Sequence, residues 1–117
     1  SSMKILAHWL LSAIAVWIVS EIVPGFNVAS LGSALIAAVV IGLVNATLGS
    51  LFKIVTFPLT VMTLGLFWLI INGVMLLIAA QFVPGFAIAG FIPAFFGAIV
   101  LSLVNMVLRA LFLSKED

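Results

Sequence analysis

The chain has 117 residues, 67% of them hydrophobic and 6% charged, with a formal net charge of +1 and no cysteine. A soluble domain is about half apolar and about a quarter charged, and a fold this small could not hide so much apolar surface from water, so lipid is the expected solvent. The same figures exclude disulfides and thiolate chemistry and speak against nucleic acid as a partner; the lone His8 cannot hold a metal by itself, and no cofactor is expected.

A span needs roughly 20 apolar residues, and four stretches qualify. Ser1 and Ser2, ahead of Met3, are set aside from the fold. The first stretch runs from about Lys4 to Val23 and stops at Pro24-Gly25, a helix-breaking pair. Hydrophobicity continues beyond it, so it reads as a retained helix and not as a signal peptide. The second runs from about Leu31 to Phe52 with Ser30 as N-cap. The segment from Lys53 to Met62 reads as a connector in the interface, with a short helix after Pro58 or a re-entrant loop as the two forms open to it. The third stretch runs from about Thr63 to Val83 and stops at Pro84-Gly85. The fourth runs from about Phe91 to Leu113, with Pro93 tolerated in its first turn. The tail, Ser114 to Asp117, is polar. The expected fold is an all-α, four-helix polytopic membrane protein forming one transmembrane domain over residues 1–117.

The chain repeats itself at a shift of 60 residues. Val23-Pro24-Gly25-Phe26 falls on Val83-Pro84-Gly85-Phe86, and Leu43-Val44-Asn45 falls on Leu103-Val104-Asn105. In all, 14 positions are identical between residues 23–52 and 83–112. Repeat one covers about 4–53 and repeat two about 64–113. Each holds two helices, so both copies enter the membrane from the same side, as parallel repeats about an axis along the membrane normal.

The cations Lys4, Lys53, Arg109 and Lys115 all fall on one face of this arrangement, as inner-side anchors. The positive-inside rule puts both termini in the cytoplasm and the turns at Pro24, Gly25, Phe26 and Pro84, Gly85, Phe86 outside. Trp9 and Trp68 near the inner ends and Trp17 near the outer end read as interface anchors. Phe26, Val28, Phe86 and Ile88 share one parity, which suits either two brief strands paired antiparallel or two irregular turns capped by phenylalanines.

Polar groups inside lipid are costly and each needs a reason. Ser12, Asn45, Asn72 and Asn105 lie seven or eight residues from the inner helix ends, one per helix, in one layer roughly 10–12 Å deep at about 1.5 Å per residue. They serve either as interhelical hydrogen-bonding groups or as a polar ring around a path. Ala34, Ala38, Gly42 and Ala46 on helix 2, and Ala94, Ala98 and Ser102 on helix 4, form small-residue stripes. The expectation from these is a close-packed centre of helices 2 and 4, with a permeation path as the alternative. Arg109 follows Asn105 on the same face, as a snorkelling anchor or a site for an anionic headgroup. Glu21 reads as an interface residue. No nucleophile, base and acid stand at a workable spacing, so no enzyme is expected.

The two Val-Pro-Gly-Phe turns, the repeated Leu-Val-Asn and the central run from Phe57-Pro58-Leu59-Thr60 to Thr63-Leu64-Gly65-Leu66-Phe67 resemble the mycobacterial-type four-span phage holin superfamily, also called YvlD-like. The resemblance spans about Leu6 to Phe112. It implies a bacterial inner-membrane protein. The family often carries a basic residue and a proline just after the second helix, where this chain has Gly49 and Ser50 and Lys53 is the first basic residue. The functions this leaves are a holin-like or channel-like protein that permeabilises the membrane as a homo-oligomer, a non-transporting envelope protein that binds lipids or partner proteins, and a small transporter of a neutral substrate.

Overall fold

The computed structural model describes residues 2–113; Lys115 and the rest of the polar tail lie outside the described residues. Helix α1, Ser2–Ile22, begins two residues ahead of the expected start. Its end is set by Gly25, whose φ of +86° only glycine adopts at low cost. Phe26 N–H then donates to the Val23 carbonyl at 3.2 Å. The same turn recurs at Gly85, φ +81°, with Phe86 N–H on the Val83 carbonyl at 3.2 Å.

The open question about the outer turns resolves as strands, which corrects the all-α expectation. Strands β1, Phe26–Val28, and β2, Phe86–Ile88, pair antiparallel with Asn27 opposite Ala87. The pairing continues symmetrically beyond them, Ala29 N–H to the Gly85 carbonyl and Ala89 N–H to the Gly25 carbonyl, each at 2.7 Å. Two short turns thus satisfy part of their backbone hydrogen bonding on each other.

Helix α2, Leu31–Val44, starts as expected at Ser30, whose Oγ accepts from the Ser33 N–H at 3.1 Å. It does not stop at Phe52. A π turn, Asn45–Gly49, leads into α3, Ser50–Val55, giving one helical span of 25 residues. The connector is helical too: α4, Phe57–Met62, opens one residue before Pro58, a position where the missing N–H costs nothing. Its hydroxyls are spent locally, Thr56 Oγ1 donating to Phe52 O at 2.6 Å and Thr60 Oγ1 to Thr56 O at 3.1 Å.

Helix α5, Leu66–Ala80, is shorter than the expected Thr63–Val83. The left-handed pair Leu64, φ +58°, and Gly65, φ +90°, breaks the chain ahead of it. At about 1.5 Å per residue its 15 residues cover roughly 22 Å, so among the described residues three helices, not four, are long and apolar enough to cross a membrane unaided. Helix α6, Phe91–Phe112, is the last.

The four long elements form a ring. Helix α1 packs on α2 and α6, and α5 packs on α6 and α2. Helices α2 and α6 stand on a diagonal without direct backbone approach, so the expected close-packed α2–α6 centre is not found. The reason is connectivity. Each tight turn forces sequence neighbours α1/α2 and α5/α6 side by side, and the ribbon docks the two hairpins through the remaining edges. Close approach occurs on those edges: a Cβ on Gly73 of α5 would stand 3.1 Å from the Phe95 Cα of α6.

Candidate functional site: a polar vestibule at the cationic end

The two ends of the ring differ. At the ribbon end Phe26 and Phe86 are buried and meet edge to face, with centroids 5.2 Å apart. The Phe26 ring lies where a Cβ on Gly97 would be, 2.5 Å from its Cδ2. Val23, Val83 and Ala34 are buried in the same cluster as this pair, and Ala94 is buried as well. Glu21 is exposed at this end.

Toward the other end two polar cavities lie between the helices. One cavity of about 140 Å³ is lined by Ser12, Val16, Ala38, Ile41, Gly42, Asn45, Leu101, Asn105 and Arg109. A second, of about 190 Å³, is lined by Ile41, Asn45, Lys53, Asn72, Leu76, Ala98, Leu101 and Ser102. They share Ile41, Asn45 and Leu101. The four polar residues expected in one layer are thus brought to two adjoining cavities. The small residues split by depth: Ala34 and Ala94 are packed, Ala38, Gly42, Ala98 and Ser102 wall the cavities, and Ala46 is exposed and lines neither. A small side chain leaves space when the helix opposite is a diagonal away.

Arg109 is exposed and lines the first cavity. Its Nη2 donates to Ser12 Oγ at 3.1 Å, joining α6 to α1. Asn105, one turn deeper, has its Oδ1 buried without a hydrogen-bond partner. Lys53 lines the second cavity with its Nζ 5.6 Å from the Trp68 ring centroid, a cation–π distance. The sequence pointed to Lys53 as a connector residue; the unbroken passage from α2 into α3 is what carries it inside, and the absence of glycine or proline between Ser50 and Val55 was the available signal. Trp9 also departs from a purely interfacial role, since its Nε1 donates to the Leu35 carbonyl at 2.9 Å. Lys4 lines a separate groove between the start of α1 and the end of α6.

The π turn begins at Asn45, so the ladder is loosened where a polar side chain enters the cavity, a placement common at working sites. Gly49 packs beside it: a Cβ there would stand at ordinary contact distance, 3.5 Å from Asn45 Oδ1 and 3.4 Å from Met75 Cγ. None of the residues lining either cavity is acidic or a histidine, so the vestibule offers amides, hydroxyls and two cations. That donor set suits water and anions.

A family model described as mycobacterial 4 TMS phage holin, superfamily IV, matches residues 3–107. An uncharacterised protein of Streptomyces coelicolor is 35% identical over 111 residues, covering 90% of this chain and 88% of its own length. The uncharacterised membrane protein YvlD of Bacillus subtilis is 29% identical over 101 residues, covering 86% of this chain and 85% of its own. No solved structure matches. Family and apolar helices together put the chain in a membrane.

Proposed function

The chain belongs to the mycobacterial four-span phage holin family, superfamily IV, and from that premise we propose that it is a four-pass bacterial inner-membrane protein that permeabilises the membrane by self-association. The observation that carries this reading is the vestibule: adjoining polar cavities in a helix ring whose outward side chains, such as Ile14, Leu43, Leu103 and Val107, are exposed and apolar. Polar interior surface in a bundle this small suits a path that several subunits complete, because four helices enclose too little space for a wide pore. Both termini lie in the cytoplasm in this reading, on the side of Lys4, Lys53 and Arg109. No chemical step is part of it.

The proposal includes two parallel helix-pair repeats about a twofold axis normal to the membrane. Two features support it. The ribbon register centres on Asn27 and Ala87, 60 residues apart. The cavity walls also correspond at that shift, Ser12 with Asn72, Val16 with Leu76, Ala38 with Ala98, Ile41 with Leu101 and Gly42 with Ser102.

The test is release of dyes of graded size from liposomes holding the purified protein at increasing density. Release that climbs steeply with density and passes large dyes supports an oligomeric lesion. Absence of release at every density, with the protein inserted and folded, removes it. The aromatic closure of the ribbon end favours one second reading, a non-transporting envelope protein that binds lipids or partner proteins through its open end.

A further inference from the structure

We propose that the vestibule is a phosphate site, with the Arg109 guanidinium as its principal ligand and the phosphate supplied by a lipid headgroup or by free inorganic phosphate. This does not depend on whether the protein permeabilises membranes.

Four observations converge. First, Arg109 faces a cavity, and the partner it meets there is the neutral Ser12 hydroxyl, 3.1 Å away. A guanidinium has five N–H donors in a rigid fork suited to bidentate contact with phosphate oxygens; one hydroxyl uses one of them. Second, the adjoining cavity holds Lys53, and no Asp or Glu lines either space. The Arg109 charge therefore has no counter-ion in the walls of its cavity, and an anion bound there supplies one. Third, Asn105 Oδ1 is buried in the same wall without a donor. A buried acceptor left unmade costs about 1–3 kcal/mol, and a bound hydroxyl, of a headgroup or of hydrogen phosphate, supplies the missing donor. Fourth, Arg109 is in the last turn of α6 and Lys53 in the last turn of α3. In the proposed topology those turns face the inner headgroup layer, where phosphate is the prevailing anion, and the choice of phosphate over carboxylate rests on that topology. The cavity beside Arg109, about 140 Å³, takes a phosphate group with room for water at about 30 Å³ per molecule.

The halves are unequal here. Gly49 stands at the repeat position of Arg109, so the second cavity has a lysine from farther along α3 in place of an arginine, and that lysine lies over Trp68. The fork is present once, and Arg109 carries the larger share of binding.

The experiment is native mass spectrometry of the full chain released from micelles containing phosphatidylglycerol or diacylglycerol, beside thermal unfolding in inorganic phosphate. The wild type, R109Q, R109K and K53Q are compared, each checked for helicity. Loss of charge-assisted bonds predicts about tenfold or greater weakening in R109Q. R109K, which keeps the charge and loses the fork, should weaken binding several-fold, as should K53Q. Retention of phosphatidylglycerol that falls in R109Q, with diacylglycerol not retained, establishes the lipid source. A rise in unfolding temperature with inorganic phosphate alone, lost in R109Q, establishes free phosphate. Binding of both lipids equally, or binding in R109Q and R109K equal to wild type, overturns the site; if R109Q does not fold, R109K decides in the same way. Liposome leakage plays no part in the readout, so a protein that never leaks still tests the inference.

Discussion

At the ribbon end the ring is packed around two phenylalanines with a glycine cut to fit one of them; at the cationic end the same helices leave two polar cavities and an unpartnered amide oxygen between them. The helices are nearly as apolar at one end as at the other. The difference comes from what closes them. Beyond the ribbon end each hairpin is tied by a turn of a few residues and the two turns hydrogen-bond each other, so four helix ends are drawn together. The opposite ends are tied by the α3–α4 connector and by the Arg109–Ser12 bond, and α2 and α6 stay apart.

Four measurements sharpen or break that contrast. The largest effect belongs to Phe26→Ala. Lipid is as apolar as the core, so the transfer contribution falls away and the cavity contribution remains, about 2–3 kcal/mol for a volume loss of ~100 Å³. Unfolding in a denaturing detergent titration should show it, while Phe82→Ala, at an exposed position, should move the midpoint little. Equal effects at both positions would mean the ribbon end is not the packed end. Next comes Gly97→Ala, whose Cβ would stand 2.5 Å from the Phe26 ring; overpacking of this kind costs about 1–3 kcal/mol. Ser33→Ala removes the bond from Ser33 Oγ to the Pro84 carbonyl, 2.9 Å long, and should cost about 1 kcal/mol. The smallest effect is expected from Asn105→Leu at the open end. It removes an acceptor that has no partner, so stability should change by well under 1 kcal/mol or rise. A loss comparable to Phe26→Ala would show the amide to be a packing group and the vestibule to be closed in the membrane.

Much of this protein was legible in the chain. The hydropathy runs located the helices, because nothing else buries about 20 apolar residues in a row. The Pro-Gly pairs located the turns, because the residues after Ile22 and Gln81 cannot continue a helix. The 60-residue shift put Ser12 level with Asn72 and Asn45 level with Asn105, and the structure gathers those four around one pair of cavities. The parity of Phe26 and Val28 left strands and turns equally open, since three residues carry too little pattern to decide. The second helix was placed to about Phe52, three residues short of Val55, and the place of Lys53 beside a cavity was missed, because a charge in an apolar run reads as a boundary while backbone geometry had no reason to break there. What tertiary structure alone decided is which helices touch. A stripe of small residues is the same signal whether a neighbour packs against it or a gap faces it. Ala94 became packed and Ser102 became a cavity wall on one helix because the paired turns draw the ribbon end shut, a long-range contact that no local spacing encodes.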